Sequence, residues 1–369
     1  MINNISKGPD KKIESITGIV YEPSNDWLYS HHASITYFNH RFWAIWSNGK
    51  INEDDCGQRV LMAQSCDGEH WEGVRPIVTP DMLGDPKKVL ISAGFYVNGE
   101  TLNVYFGSYN YSEEALHGGQ TRPYHDGSHE NTALGVVSTT DGINWSKPQG
   151  LGLNMVPNHG PQKTSSGRLI ISGNIMFPYT DNPDGIHHYK STGIYGAAFG
   201  QEIPRDDSEA IHYVHKFRGW DTNLICEGSF YQTDDNVIHM MLRSNTRYLW
   251  HTESRDDGET WSEPERTEYS DDSSKFHFGR LPDGRYYGVS NTNPGGGRNP
   301  LDICISEDGI NFNKHFILQD EPYEMKAEGM YKGGHYGYPH TLIHDNYMYV
   351  IYSKGKETIE VTKFSLDQL

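Results

Sequence analysis

The sequence predicts an all-β chain folded as a single β-propeller of four-stranded blades, and two interleaved repeats carry that prediction. The first is a turn signature met four times: Ser65–Trp71 (SCDGEHW), Ser138–Trp145 (STTDGINW), Ser254–Trp261 (SRDDGETW) and Ser306–Phe312 (SEDGINF). Each copy sets an Asp-Gly pair after a Ser and an aromatic residue three positions beyond the Gly. Asp ties down the local backbone, Gly supplies the positive φ of a tight turn, and the aromatic ring tucks beneath the hairpin. The second repeat is a turn followed by an alternating, strand-like run, at 39–47, 98–107, 166–173, 235–243, 282–290 and 345–353. Its spacing is that of a four-stranded blade with loops. Six modules are visible.

Within a module the expected order is an inner strand, the turn-strand, a third strand, the Asp-Gly turn and an outer strand. The last module runs out at residues 358–369 with only a third strand. The strand-like run at 13–21 (IESITGIVY) is expected to complete it and close the ring, which makes 1–369 one domain. Composition agrees: 24 Tyr, 8 Trp and 39 Gly in 369 residues suit short strands and tight turns. A formal charge of −18 argues against nucleic acid or an anionic membrane as a partner. Cys56, Cys66, Cys226 and Cys304 stand far apart with no CxxC pair and read as reduced and structural. Without an apolar run of membrane-spanning length, the expectation is a soluble protein. It is either cytoplasmic, or secreted or periplasmic after loss of a leader.

In a propeller the loops entering the inner strands share one rim with the loops joining second and third strands. The Asp-Gly turns fall on the opposite face, so chemistry is sought away from them. The rim collects His31, His32, His159, Glu227, His277, Tyr336 and Tyr338 from inner-strand starts. Arg59, His125, His129, Arg243, Arg247, Arg298 and Lys356 come from the other loops. Glu227 and Arg243 lie sixteen residues apart across one hairpin, which brings a carboxylate to a guanidinium; Tyr231 and Arg247 have the same spacing, and the sequence does not choose between the pairs. Tyr336 and Tyr338 read as sugar-stacking aromatics or as packing. The run Asn52-Glu53-Asp54-Asp55 reads as a solvated loop or a structural Ca²⁺ site of hard oxygens; no other cofactor is called for.

The turn signatures resemble the Asp-box, or BNR repeat, of sialidase-type propellers. Ser30–Phe38 (SHHASITYF), Ala44–Gly49, Asn52–Asp54, Gly57–Val60, Asn158–Pro161, Gly167–Leu169, Gly337–His340 and Tyr352–Glu357 resemble ulvan lyases, L-rhamnosyl-α-1,4-glucuronate lyases and a related α-L-rhamnosidase family. The resemblance spans nearly the whole chain, and those families are described as seven-bladed. It implies a lyase that cleaves beside a uronic acid by β-elimination, with an acidic oligo- or polysaccharide as substrate. Tyr would serve as base and acid, histidines would assist, and Arg would neutralise the carboxylate. Carried over, Arg243 is the neutraliser, His159 one histidine, and His125 or His129 the other. The chain departs from the pattern at the Tyr, because Glu227 stands sixteen residues before Arg243; Glu followed by Arg there is more like the sialidase pattern. Tyr231 or Tyr338 would then supply the phenol. The alternatives are an exo-glycosidase, rhamnosidase- or sialidase-like, and a non-catalytic glycan-binding propeller.

Overall fold

The computed structural model describes the chain except for positions 9, 25, 118, 124–128 and 195–224. Six sheets are formed by the described residues. The first holds Tyr29–Phe38, Arg41–Gly49, Arg59–Ser65 and Trp71–Val78, the second Val89–Asn98, Thr101–Tyr111, His129–Thr139 and Gln149–Gly150. The third has three short strands, Gln162–Lys163, Leu169–Ile170 and Tyr179–Thr180. The fourth comprises Cys226–Gln232, Ile238–Arg243, Tyr248–Ser254 and Glu265–Ser270. In the fifth are His277–Arg280, Tyr286–Ser290, Leu301–Ser306 and Lys314–Gln319, and in the sixth Tyr336–His344, Tyr347–Lys354 and Thr358–Ser365. Ile16–Tyr21 adds antiparallel to Thr358–Ser365, whereas Lys11–Lys12 runs parallel beside Lys314–Gln319.

Each sheet is a meander whose alternating residues pack on the neighbouring sheet. Trp43, Ile45 and Met62 of the first sheet meet Leu102, Val104 and Phe106 of the second. Tyr105 and Val136 meet Ile171 of the third, which in turn packs Phe177 and Ile170 on Met240 and Leu242 of the fourth. Phe278 and Tyr286 join fourth to fifth, Val289 and Ile303 pack with Val350 and Tyr352 of the sixth, and Tyr349 and Ile351 return to Ala44 and Trp46 of the first. The apolar layers thus close a ring, the β-propeller expected from the repeats.

The Asp-Gly turns lie between third and outer strands, as the module order requires. In the fourth sheet Ser254 Oγ accepts from Gly258 N at 2.8 Å, while Asp256 accepts from Thr260 N at 2.8 Å and Thr260 Oγ1 at 2.5 Å. The second copy is capped by Thr139, not Ser138: Thr139 Oγ1 accepts from Gly142 N at 2.9 Å. Asp256→Ala strands these donors, and urea unfolding is expected to read a loss of about 1–2 kcal/mol.

One irregularity recurs at the start of the inner strands. Pairing with the second strand slips between His31 and Ser34, Ser92 and Gly94, Cys226 and Gly228, and Gly337 and His340. A bulge inserts one residue and re-aims a side chain. The residues so placed include His32 (φ 54°), Glu227 (φ 51°) and Tyr338 (φ 57°), all in the left-handed region that non-glycine residues avoid. In the second sheet the skipped residue is Ala93, and Gly94 beside it takes φ 110° where a Cβ would stand 2.5 Å from Gly160 N. Strain of this kind persists only where the surrounding structure enforces it, and it clusters at functional sites.

Candidate active site

The bulges of three sheets aim their side chains at one point. Tyr338 Oη donates to Glu227 Oε1 at 2.5 Å, and Arg243 Nη1 donates both to Glu227 Oε2 at 2.6 Å and to Tyr338 Oη at 2.9 Å. His31 packs on the Tyr338 ring with centroids 4.0 Å apart, and His32 meets it edge-on at 5.0 Å. Arg298 and Lys275 lie over the same ring at 5.6 and 5.5 Å. A phenol is therefore held between a carboxylate and a guanidinium, with two further cations beside it.

The electrostatics follow from burial. Burial, and then the Glu227 charge, push the Tyr338 phenol well above its usual range, so it keeps its proton at rest. Burial also raises the Glu227 carboxyl, but Arg243 and the Tyr338 hydrogen bond outweigh it and hold Glu227 below its ordinary range, hence ionised. Burial lowers Lys275 to about 8. His31 and His32 are lowered chiefly by burial, His32 to about 3, and both are neutral at pH 7. His31 Nε2, His32 Nδ1, Arg243 Nε and Arg298 Nη1 are buried without a hydrogen-bond partner among the described residues.

This cluster opens into a cleft of about 450 Å³ walled by Arg243, Arg247, Arg298, Tyr331 and Lys356, with Asp272 as its acidic member. Arg247 pairs with Asp272, which also accepts from Arg298 N at 2.7 Å. Lys356 donates to Glu53 Oε2 at 2.7 Å and to Tyr331 O at 2.8 Å. Burial alone would raise Glu53, yet Lys356 and His32 hold it at about 2. Among the described residues the Arg298 fork forms no ion pair with a carboxylate: Nη2 donates to Ser273 O at 3.3 Å, and a Cβ on Gly337 would meet Nη1 and His31 Cε1 alike at 3.2 Å. The wall segment carrying Tyr331 is pinned by a fully buried ion pair, Lys332 Nζ to Glu357 Oε1 at 2.7 Å.

Deeper in the channel His159, His277 and His340 pack together, with ring centroids 4.5–5.6 Å apart. His159 Nε2 donates to Phe276 O at 3.0 Å, and His277 Nδ1 lies 2.7 Å from Thr341 Oγ1. Lys275, which donates to Asn158 O, links this trio to the Tyr338 group.

The structure thus places Arg243, Arg247, Arg298 and Lys356 on the cleft wall. His31, His32, Glu227 and Tyr338 lie in the buried group joined to it through Arg243 and Arg298, with His159 and His277 linked to that group by Lys275. Other expected site residues lie elsewhere. Tyr231 is core: its hydroxyl donates to Gly309 O at 2.6 Å under an Asp-Gly turn and its ring packs among Phe278, Tyr286 and Phe312, so it pairs with neither arginine. Tyr336 is fully buried against Tyr352 with its hydroxyl on Glu321 O, which rules out stacking on a sugar. Arg59 lies 3.5 Å over the Trp27 ring and donates to Asn48 Oδ1, apart from the cleft. His129 stacks on Tyr109 at 3.9 Å in the second sheet. His125 falls outside the described residues. The carboxylates of the Asn52–Asp55 run face donors: Lys356 for Glu53, Gln58 and Arg122 for Asp54, Asn52 and Thr121 for Asp55. Lys275, Asp272 and Tyr331 were not singled out by the sequence.

The sequence matches the BNR repeat-like domain over residues 121–350. The chain belongs to that family. No curated protein matches it. Among solved structures, this BNR-repeat protein superposes on one of unknown function from Dyadobacter fermentans with TM-score 0.68 at 13% identity, covering 95% of this chain and 98% of that one. The NanB sialidase of Streptococcus pneumoniae gives TM-score 0.66 at 12% identity, covering 95% and 71%. The intramolecular trans-sialidase of Ruminococcus gnavus gives 0.63 at 14%, covering 95% and 98%. At such identities the likeness concerns the fold, which is a sialidase-like β-propeller. Among the described residues no helix is long and apolar enough to cross a membrane.

Proposed function

We propose that this BNR-repeat protein is an enzyme that cleaves glycans beside a uronic acid by β-elimination. The observation that carries the reading is the direct contact of Arg243 with the Tyr338 hydroxyl, 2.9 Å, next to Arg298, whose Nη1 has no hydrogen-bond partner among the described residues. Two guanidiniums are the natural receptors of a carboxylate. A phenol touching that receptor reaches the carbon bonded to the carboxyl group, which in a uronic acid is C5 and carries the acidic proton. When the sugar carboxylate engages Arg243 and Arg298, the counter-charge that holds Glu227 ionised is shared. Glu227 then takes the Tyr338 proton as the phenol oxygen takes the C5 proton, and the two arginines stabilise the charge that spreads into the carboxylate. The C4–O4 bond breaks, O4 takes the proton back from Tyr338, and Glu227 returns the other proton to the phenol. His31 and His32, neutral around the ring, hold it in place.

Hydrolysis ordinarily wants a protonated carboxyl to assist the leaving oxygen. The carboxyl nearest the histidines, Glu53, is held ionised by Lys356 and does not suit that role. One observation favours a second reading: the 2.5 Å bond from Tyr338 to Glu227 would equally activate the phenol as a nucleophile. Attack would then fall on the anomeric carbon of a 2-ulosonic acid, where carboxyl and reacting carbon are again adjacent. Support for a glycan substrate comes also from the sialidases among the solved relatives. The test is incubation with rhamnosyl-glucuronate oligosaccharides. The expected product is the conjugated unsaturated uronate, read by its ultraviolet absorbance. New reducing ends without that absorbance would favour hydrolysis, and neither signal would count against both.

A further inference from the structure

The geometry points to a second site, a zinc-class metal site built by His239, His251 and Glu253 on the fourth sheet, away from the Tyr338 cleft. Strand register explains the grouping. His239 stands opposite Glu253 and Met241 opposite His251, so His239, His251 and Glu253 share one face of the sheet. Their candidate donor atoms all lie within 4.8 Å of one another. His239 Nδ1 and His251 Nε2 are 3.0 Å apart. A tetrahedral zinc with bonds of about 2.0–2.1 Å sets two nitrogens about 3.3 Å apart, so a shift of a few tenths of an ångström admits the ion.

The surroundings are arranged as a metal site requires. A ligating histidine usually donates its other ring N–H to an acceptor backed by a carboxylate. Thr233 Oγ1 donates to Asp235 Oδ1 at 2.6 Å, which leaves the hydroxyl oxygen to accept from His239 Nε2 at 3.2 Å. That bond fixes the proton on Nε2 and turns the Nδ1 lone pair toward His251. The Tyr231 ring, stacked on His239 with planes 15° apart, holds its orientation. Glu253 has one oxygen on Arg255 Nε at 2.8 Å and the other available. His239 is buried while Glu253 keeps 28% side-chain exposure, so an ion enters from the Glu253 side and water completes its coordination. Binding needs lone pairs from both imidazoles; the proton between them moves to His251 Nδ1, and no net proton leaves the site. Two histidines and a carboxylate form a donor set suited to zinc rather than to calcium or magnesium. An ion here would clamp the second and third strands of the sheet. The other histidine groupings, His31–His32–Glu53 and His159–His277–His340, belong to the cleft and the channel beneath it.

The experiment is calorimetric titration of the full chain with Zn²⁺ alone, repeated on His251→Gln and Glu253→Gln, with thermal unfolding measured before and after metal. The expected result is an equivalent of Zn²⁺ whose affinity falls at least about tenfold in each variant, together with a metal-induced rise in Tm that both variants lose. Glu253 sits on the open side, so its amide variant keeps the metal-free Tm. Isotherms unchanged in both variants, or a wild type that takes up no Zn²⁺, would overturn the site and show the imidazole pair to be a structural hydrogen bond.

Discussion

Tyr338→Phe is expected to lower kcat by about 10³-fold or more while leaving the fold intact. Phenylalanine keeps the ring between His31 and His32 and removes only the oxygen shared by Glu227 and Arg243. Those two remain bonded to each other at 2.6 Å, so no buried charge is left unpaired and the stability change stays within about 1.5 kcal/mol. The check is a pair of measurements, turnover on rhamnosyl-glucuronate oligosaccharide and Tm on the same preparation. Full activity in Tyr338→Phe would remove the phenol from the mechanism, because no other described hydroxyl touches Arg243 and Glu227 together.

The second large effect is acid lability. Burial lowers His31, His32, His159, His251, His277 and His340, with His32, His251 and His277 falling to about 3. In the unfolded chain each takes up a proton near pH 6.5; in the folded chain the lowered groups resist until far more acid. Protons therefore favour the unfolded state, and this contribution is complete above about pH 6.5 and lost as pH falls toward 3. Buried carboxyls oppose it. Asp271 and Asp302 are raised by burial to about 7, so the folded chain holds protons that the unfolded chain has released, and their contribution declines as pH rises from about 4 to 7. The six histidines outweigh these carboxyls. Between about pH 6.5 and 5.5 the net loss is on the order of several kcal/mol, a large part of the stability of an ordinary domain. Calorimetric Tm measured at successive pH values is expected to fall steeply below pH 6.5. A flat Tm down to pH 5 would mean that the channel histidines are solvated.

What the sequence revealed and what it hid separate along physical lines. The Asp-Gly turns were legible because each is closed by its own side chains, Asp256 on Thr260 or Thr139 on Gly142. The contact of Glu227 with Arg243 was legible because two strands and a turn fix their separation within one hairpin. The rim histidines and Arg298 followed from the module order. The choice of phenol was not legible: Tyr231 has the same sixteen-residue spacing to Arg247, yet the bulge at Glu227 fixes which side chains of that strand face the cleft, and Tyr231 faces the core. Tyr338 arrives from another sheet, across a separation that only ring closure sets. Lys275 was missed for a similar reason, since nothing around Ser274-Lys275-Phe276 marks a lysine that the closed channel buries. The left-handed residues His32, Glu227 and Tyr338 carry no local sequence signal, because their conformations are imposed by the packing around them.

A cleft that receives a sugar carboxylate must tell an acidic sugar from its neutral counterpart. Calorimetric titration with a glucuronate-terminated oligosaccharide is set beside the same oligosaccharide with its carboxyl group reduced to the alcohol, on wild type and on Arg298→Gln. The acidic sugar is expected to bind wild type at least tenfold more tightly than the reduced one, a preference that Arg298→Gln abolishes. Equal affinity for the two sugars in wild type, or a preference that survives in Arg298→Gln, would contradict the assignment.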